Sequence, residues 1–328
     1  MSNDRPGGDR PDDLLTPDRT ATTDGEGRIF LTGGTGFVGS NIRAALGDRP
    51  VRLLVRDPGK YEHLRRPNVE LVAGDVTRAE TLRGAMDGCQ YVIHLVGIIE
   101  ETGSGSFDAI IHQGTVNVLA EAERAGISHF LQMSAMGATD DPAFPYMQAK
   151  ARAEAAVRAS SIPWTIFRPS VIFGPGDGFI NPLALLVRFP ITPVVGDGQS
   201  RFMPAAVAEV AEVFAGAVGN PRTFGQTYEL GGARIYTFEQ MLDAIGNELG
   251  RHHPRINIPV PLISLVVRLS KPLPRAIRPP VTGEQLKMLK SDNTTDHNAM
   301  GELLGRRPTA LEDGLGYLRK GARNRPPD

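Results

Sequence analysis

The sequence is poor in cysteine, in net charge and in long apolar runs. Its 328 residues include one cysteine, Cys89, which excludes an internal disulfide and a cysteine cluster for a metal. We expect Cys89 to be a small buried hydrophobe at the start of a strand, and the low cysteine content fits a reducing, cytoplasmic location. The seven histidines show no metal-ligand spacing, and the formal net charge of -1 gives no attraction to nucleic acid. We therefore predict neither a metal site nor a nucleic-acid partner.

No apolar run reaches the roughly 18 residues that are needed to span a bilayer, so the sequence predicts a soluble protein. Two segments come closest: residues 180–195, interrupted by Arg188, and residues 258–269, interrupted by Arg268. Their simplest interpretation is pocket lining or core. The alternative is a surface that contacts membrane lipid or an apolar substrate, which would place the protein peripherally at the inner face of the membrane.

A glycine-rich stretch follows the first apolar run. Residues 29–31 are apolar and partly β-branched, and apolar residues then recur at helical spacing up to Leu46. The pattern predicts a strand, a turn and a helix. Gly33 would let the chain turn sharply, Gly36 would let a pyrophosphate approach the backbone, and Gly39 would let the helix pack closely on the strand. Because N–H groups at a helix N-terminus attract phosphate, the stretch predicts a dinucleotide site.

Two residues after the second apolar run bear on the kind of dinucleotide. Arg56 and Asp57 lie about twenty residues beyond the turn, where the ribose is expected. Asp57 could accept a hydrogen bond from a free ribose hydroxyl and favour NAD(H), whereas Arg56 could bind a 2'-phosphate and favour NADP(H). A turn through Pro58 and Gly59 already accounts for Asp57, and nothing comparable accounts for Arg56. The sequence therefore favours NADP(H), with NAD(H) as the alternative.

Apolar runs and helical patterns alternate along the first half of the chain. Strands are predicted at residues 51–55, 69–73, 91–95, 129–133, 164–168 and, later, 228–230. Helices are predicted at residues 82–86, 107–125, 146–157, 205–218 and 238–249. This alternation predicts an α/β fold, a Rossmann-type doubly wound parallel sheet with a smaller C-terminal substrate lobe.

The composition also suggests domain boundaries. Residues 1–27 lack apolar content and a hydrophobic signal core, which predicts a disordered tail rather than a targeting peptide. We expect a dinucleotide-binding domain over residues 28–170, and over residues 171–322 a substrate lobe interleaved with the last sheet strand. Residues 323–328 would form a second tail.

The end of the third predicted strand carries Asp75. This carboxylate could accept a hydrogen bond from the adenine amino group, although a turn that follows Gly74 explains it equally well. Thr77 and Glu80 match a capping box, which predicts that they start the helix at residues 82–86.

Tyr146 and Lys150 are four residues apart in a predicted helix, so both side chains point to the same face. The pKa of a free tyrosine is about 10, and we expect the Lys150 ammonium to lower that of Tyr146 so that the phenol can transfer a proton near neutrality. Ser134 follows the preceding strand and could hold a substrate carbonyl or alcohol against Tyr146. The alternative is a surface tyrosine and lysine on an amphipathic helix.

These residues resemble the extended and atypical short-chain dehydrogenase/reductase superfamily over residues 28–320. Residues 32–39 are similar to its TGxxGxxG cofactor turn, and Ser134, Tyr146 and Lys150 are similar to its serine and YxxxK set. The resemblance implies that Tyr146 is the general acid/base, that Lys150 also holds the nicotinamide ribose, and that His94 is a packed wall residue. It implies further cofactor contacts from Thr35, Phe37, Val38, Val76, Leu95, Val96, Gly97 and Pro169.

A narrower resemblance lies near the C-terminus. Residues 278–293 are similar to the NAD(P)H-binding accessory subunit of respiratory complex I (NADH:ubiquinone oxidoreductase) and its bacterial relatives. The resemblance implies a role close to quinone chemistry and a contact with a respiratory complex. The short interval between Ser134 and Tyr146, and the segment 203–207, depart from the nucleotide-sugar branch.

Three functions follow from these observations. The first is an oxidoreductase that acts on a hydrophobic carbonyl or alcohol. The second is a non-catalytic nucleotide-binding scaffold or assembly factor of a respiratory NADH:quinone oxidoreductase. The third, a nucleotide-sugar epimerase or dehydratase, would need polar sugar-binding groups that the predicted lobe lacks.

Overall fold

The computed structural model describes residues 27–101, 105–259, 261–263, 269 and 292–319. Of the two predicted tails, residues 1–27 and 323–328, only residue 27 lies in the described part of the chain. The narrower resemblance covers residues 278–293, of which residues 278–291 also lie outside it. So do residues 260 and 264–268 of the second apolar segment.

A seven-stranded sheet forms the centre of the molecule. Its strands are β1 (Ile29–Thr32), β2 (Val51–Val55), β3 (Val69–Ala73), β4 (Tyr91–His94), β5 (His129–Met133) and β6 (Trp164–Pro169), with four short strands before β11 (Gln226–Leu230). Their order across the sheet is β11-β6-β5-β4-β1-β2-β3, and every neighbouring pair is parallel. The order reverses beside β1, so the crevice at the carboxyl ends of β1 and β4 is the place where such sheets bind ligands.

The strand sequences explain why this sheet is covered on both faces. Ile29, Phe30 and Leu31 are all fully buried, although alternate side chains point to opposite faces. Leu31 packs in one apolar cluster and Phe30 in another, on the two sides of the sheet. Cys89 lies in the second cluster just before β4, which confirms its predicted role as a small buried hydrophobe.

The helices are α1 (Phe37–Ala45), α2 (Gly114–Arg124), α3 (Pro145–Ala159), α4 (Ile180–Val187), α5 (Val207–Ala217), α6 (Phe238–Leu249), α7 (Met300–Leu304) and α8 (Leu311–Gly314). A π-helical segment, Asp108–Gln113, leads into α2. The predicted helices over 107–125, 146–157, 205–218 and 238–249 are therefore confirmed within a few residues. No described helix is both long enough and apolar enough to cross a bilayer.

The predicted helix over residues 82–86 is wrong. The chain forms only a short 3-10 turn, Ala79–Thr81, and then irregular turns, because Gly84 and Gly88 adopt left-handed backbone angles that end a helix. The predicted capping box is also absent, since the Thr77 hydroxyl donates to Asp75 Oδ1 at 2.8 Å instead of capping a helix.

Residues 171–318 hold a separate apolar cluster built on α4, α6 and α8. Short strand pairs connect this region: β7 (Ile172–Phe173) with β10 (Ala205–Ala206), β9 (Arg201–Phe202) with β12 (Tyr236–Thr237), and β8 (Thr192–Val195) with β13 (Arg255–Ile258). β11 returns from this region to the edge of the main sheet. The division into two domains at residue 170 stays a prediction.

Candidate functional site

The turn between β1 and α1 is open at its tip. Gly33 has a φ of +71°, and Gly36 donates its N–H to Gly33 O at 3.1 Å, which closes the turn. Gly36 is exposed, and the nearest atom to a methyl group placed on it would be Gly33 O at 3.3 Å. No described side chain caps α1, and its first turn has no acidic residue. The tip therefore leaves backbone N–H groups and positive helix-dipole charge available to a pyrophosphate.

Gly39 is packed more tightly than the other glycines of this turn. A methyl group on Gly39 would lie 2.3 Å from Gly33 O and 2.5 Å from Gly34 Cα. The close contact is thus between the helix and the turn itself. Of the remaining residues expected here, Thr35, Phe37 and Val38 are half-buried around the tip.

Arg56 and Asp57 follow the end of β2 and have different surroundings. Asp57 Oδ1 accepts a hydrogen bond from Gly59 N at 3.0 Å, so this carboxylate does close the predicted turn. Arg56 is exposed at the strand end. Its positive charge helps to lower the pKa of Asp75, which places the two side chains in the same neighbourhood.

Asp75 is engaged in a local turn. Its Oδ1 accepts hydrogen bonds from Thr77 N at 2.9 Å and from the Thr77 hydroxyl. Burial would raise the pKa of Asp75, but the Thr77 groups and the nearby arginines lower it below its usual value. Val76, which follows Asp75, is buried, and its carbonyl oxygen accepts a hydrogen bond from Asn117 Nδ2 at 2.8 Å.

His94 ends β4 and is fully buried between two threonines. The Thr115 hydroxyl donates to Ile111 O at 2.6 Å, so it must accept from His94 Nε2, 3.1 Å away. His94 Nδ1 then accepts from the Thr32 hydroxyl at 2.6 Å. Burial, assisted by the charge of Lys150, lowers the pKa of His94 to about 3. Both ring nitrogens of this neutral histidine are engaged in hydrogen bonds to threonine hydroxyls, as expected for a side chain that packs in the wall of the site.

The segment after His94 passes beside the turn and beside α3. A methyl group on Gly33 would lie 3.1 Å from the carbonyl carbon of Leu95 and 3.2 Å from Val96 N, so Leu95 and Val96 flank the glycine turn. A methyl group on Gly97 would lie 3.3 Å from Lys150 Nζ. The structure thus brings the turn, residues 95–97 and Lys150 to one edge of the sheet.

Tyr146 and Lys150 share one face of α3 but have different surroundings. The half-buried Tyr146 ring packs edge-on against Phe107, with centroids 5.6 Å apart, and Ile98 packs against the same apolar cluster. Lys150 is buried, and its Nζ donates to Met133 O at 3.0 Å. Burial lowers the pKa of Lys150 to about 8, against the opposing effect of the Glu154 carboxylate.

The expected effect of Lys150 on the Tyr146 phenol is not observed in this structure. Burial raises the pKa of Tyr146 to about 12, and Lys150 is not among the causes of the shift. The expectation was wrong because a helical spacing of four places two side chains on one face but does not reveal how strongly the surroundings desolvate them.

Glu154 occupies the next position on this face and was missed as a site residue by the sequence reasoning. Its carboxylate is almost completely buried and accepts two hydrogen bonds from Arg168, at 2.8 and 2.7 Å, and one from Arg158 at 2.8 Å. Burial would raise the pKa of Glu154, but Arg168 above all lowers it below its usual value. The recurrence of polar residues at 146, 150 and 154 was the available sequence signal.

Ser134 lies beside this buried carboxylate. Its hydroxyl is close enough to help lower the pKa of Glu154, yet it makes no hydrogen bond of good geometry to any described residue. Its backbone N–H donates to Phe167 O at 2.7 Å, which ties β5 to β6. Pro169, at the end of β6, is buried, and its carbonyl oxygen accepts a hydrogen bond from Met136 N at 2.9 Å.

Within the described part of the chain, no group of three or more His, Cys, Asp and Glu side chains could hold a metal ion. His252 is exposed and His253 half-exposed in an irregular segment.

Comparison with known proteins agrees with this geometry. Residues 33–178 match a protein family described as NAD(P)H-binding. A ceramide reductase from Caulobacter vibrioides is 31% identical over 247 residues, covering 73% of this chain and 76% of that protein. Subunit 9 of the NADH dehydrogenase [ubiquinone] 1 alpha subcomplex from Arabidopsis thaliana is 28% identical over 288 residues, covering 82% and 71%.

Solved structures share the fold. An NADPH-dependent quinone oxidoreductase from Escherichia coli, complexed with NADPH, superposes with a TM-score of 0.72 at 19% identity, over 89% of this chain and 99% of that one. A UDP-glucose 4-epimerase from Thermotoga maritima superposes with a TM-score of 0.65 at 18% identity, over 89% and 99%. The sheet order, the open glycine turn and these relatives lead to one conclusion: the chain belongs to the NAD(P)H-binding family, as an extended short-chain dehydrogenase/reductase-like protein.

Proposed function

We propose that this protein is an NADP(H)-dependent reductase of a hydrophobic carbonyl compound. The observation that carries the proposal is the meeting of the glycine turn, residues 95–97 and the pair Tyr146 and Lys150 at one sheet edge. A bound nicotinamide cofactor would supply the hydride. The chain's own residues would bind the cofactor, exclude water and deliver the proton.

Tyr146 would be the proton donor. With a pKa raised to about 12, its hydroxyl keeps its proton at neutral pH, which suits the reduction of a carbonyl, where the developing alkoxide must receive a proton. Lys150 would hold the nicotinamide ribose, and Ser134 the substrate oxygen. Neither role needs Tyr146 to be ionised in the free protein.

The cofactor would lie along the crevice between β1 and β4. We assign the pyrophosphate to Gly33, Gly36 and Gly39, the 2'-phosphate to Arg56, and the adenine to Asp75. The other proposed contacts are Thr35, Phe37, Val38, Val76, Leu95, Val96, Gly97 and Pro169.

The surroundings of Tyr146 support a hydrophobic substrate. Its ring packs with Phe107, and Ile98 and the buried residues Ala149 and Ala153 belong to the same apolar surroundings. The relative named ceramide reductase is consistent with an apolar substrate for this chain.

The proton-transfer role is tested with Tyr146→Phe. We expect NADPH-dependent reduction of a panel of apolar aldehydes, ketones and quinones to fall by roughly 100-fold or more, while NADPH still raises the melting temperature. Tyr61→Phe, at a half-buried tyrosine outside the site, is the matched control. Full turnover by Tyr146→Phe would remove the role assigned to the phenol.

The cofactor preference is tested with Arg56→Ala. Loss of a charge-assisted contact to the 2'-phosphate should weaken NADPH binding by roughly tenfold and leave NADH binding unchanged, as measured by melting shifts. Arg83→Ala removes another exposed arginine and should change neither. Equal shifts with NADPH and NADH in the unmodified protein would reject the assignment.

A second candidate is a nucleotide-binding scaffold or assembly factor for a quinone-linked respiratory complex. The buried Ser134 hydroxyl beside Glu154 favours it, since a substrate-binding serine should reach the open side of the site. The similarity to a subunit of NADH dehydrogenase is in accord with it. A nucleotide that co-purifies, resists dialysis and is never oxidised would favour the scaffold, and rapid exchange with turnover would favour the reductase.

A further inference from the structure

Large apolar side chains are exposed in the region that holds α4, β8 and β13. Leu185, Phe189, Ile191, Ile256 and Leu262 expose between 53% and 58% of their surface. We call these five residues the apolar ridge. Three other large hydrophobic residues in the described part of the chain are exposed, so the ridge contains five of the eight exposed large hydrophobic residues there.

These side chains lie on connected elements. α4 buries Ile180, Leu183, Ala184 and Val187, whereas Leu185 is exposed on α4 and Phe189 is exposed just beyond its end. Ile191 follows Phe189 at the entry to β8. Ile256 pairs with Pro193 in the parallel β8–β13 pair, and Leu262 lies one turn beyond β13.

Positive charge accompanies the apolar ridge. Residues 179–196 contain one charged residue, Arg188, and residues 249–263 contain Arg251, Arg255, His252 and His253 but no Asp or Glu. Arg251, both histidines and Arg255 line a cavity of about 220 Å³ that adjoins Val187 and Thr192. Asp243 is the one acidic residue among the described lining residues, and its carboxylate pairs with Arg255.

We propose that the apolar ridge docks on the surface of an anionic phospholipid bilayer. Exposed aliphatic and aromatic side chains enter the boundary between headgroups and acyl chains, while adjacent arginines contact lipid phosphates. The absence of carboxylates from the two segments removes the repulsion that an anionic surface would otherwise meet. The assignment does not depend on the proposed reductase activity, because the ridge residues are not among those that line the cofactor crevice.

Sedimentation with vesicles tests the proposal. The full chain should sediment with vesicles of phosphatidylcholine and phosphatidylglycerol at low salt, less with phosphatidylcholine alone, and much less at about 0.5 M NaCl. Phe189→Ser with Ile191→Ser should weaken binding by roughly tenfold or more. Arg188→Ala with Arg251→Ala should weaken it by roughly five-fold for each arginine and reduce the salt dependence.

Matched variants away from the ridge control for surface changes. Ile235→Ser removes an exposed isoleucine, and Arg83→Ala with Arg307→Ala removes two exposed arginines; vesicle binding should be unchanged. Every variant should keep its melting shift with NADPH, which separates loss of docking from loss of folding or of nucleotide binding.

Three outcomes would overturn the proposal. They are no sedimentation of the unmodified protein with anionic vesicles, equal loss of binding in the ridge and control variants, and self-association through the ridge that replaces vesicle binding. Analytical ultracentrifugation of the unmodified protein and the Phe189 and Ile191 variant detects the last of these.

Discussion

Glu154 is the most constrained ionised side chain of the candidate site. It is one turn from Lys150, beside the Ser134 hydroxyl and bound by Arg168 at both carboxylate oxygens. A buried carboxylate is tolerated only with such partners, because desolvation of a charge costs several kcal/mol. The charge of Glu154 also opposes the lowering of the Lys150 pKa. Glu154 is therefore fixed by Arg168 and adds negative charge beside Lys150.

At the residue scale we predict that Glu154→Gln lowers the free energy of unfolding by about 3 kcal/mol, because it leaves the half-buried Arg168 with a weaker partner. Urea denaturation measures the change. Glu62→Gln removes the exposed partner of Arg65 and should leave the free energy of unfolding nearly unchanged. Equal costs for the two variants would contradict the importance of the buried pair.

The residue types of this site were readable in the sequence, but their electrostatics were not. The spacing of Tyr146 and Lys150 correctly predicted a shared helix face. Burial and the Arg168 partner of Glu154 come from β5, β6 and Phe107, which belong to other elements than α3. A pKa depends on these distant neighbours, so it could not be inferred from local spacing.

At the scale of elements, the β1–α1 turn contains a tightly packed glycine, Gly39, and an open one, Gly36. Gly39→Ala would place a methyl group 2.3 Å from Gly33 O, and neither backbone can move away cheaply. We predict a loss of roughly 2 to 3 kcal/mol in the free energy of unfolding, measured by urea denaturation.

Gly36→Ala should behave differently. Its methyl group would meet only Gly33 O at 3.3 Å, so stability should change by less than about 1 kcal/mol. The melting shift with NADPH should nevertheless fall, because the methyl group occupies the pyrophosphate approach. Gly316→Ala, where no atom lies within 4 Å, is the control for both variants. A full NADPH shift in Gly36→Ala would contradict the proposed position of the pyrophosphate.

Element boundaries followed local sequence wherever one strong pattern was present. β1, α1 and α6 were predicted almost to the residue, and α6 has a capping box formed by Thr237 and Gln240. The helix predicted after Thr77 is absent for a second reason besides Gly84 and Gly88. The Thr81 hydroxyl donates to the carbonyl oxygens of Asp75 and Arg78. Side-chain competition of this kind offers the backbone an alternative to a helix.

At the scale of the whole molecule, two buried histidines couple folding to pH. His129 Nδ1 accepts from Gly219 N at 3.1 Å, and its Nε2 lies 2.9 Å from the Thr165 hydroxyl, which donates to Thr223 O. Burial lowers the pKa of His129 to about 3, as burial and Lys150 do for His94. Both histidines are therefore neutral in the folded protein over most of the acidic range.

Between the unfolded pKa of about 6.5 and the folded value, the unfolded chain binds protons that the folded chain excludes. The free energy of unfolding should therefore decrease as the pH falls from 6.5 towards 4, by up to about 1.4 kcal/mol per pH unit for each histidine. His129→Gln should reduce this slope by the contribution of one histidine, whereas exposed His63→Gln should not. An unchanged slope in His129→Gln would contradict the buried neutral state.

The Rossmann-type sheet is predictable from the amino-acid order alone, because apolar runs and helical patterns alternate and each carries its own local signal. The amino-acid order also determined the glycine turn, since the spacing of Gly33, Gly36 and Gly39 is a local requirement of backbone geometry. Packing between elements desolvates the Tyr146 hydroxyl, holds Glu154 against Arg168 and leaves the apolar ridge exposed, and no local pattern predicts these three features. Burial is a property of what packs against a residue, and those neighbours come from distant parts of the chain.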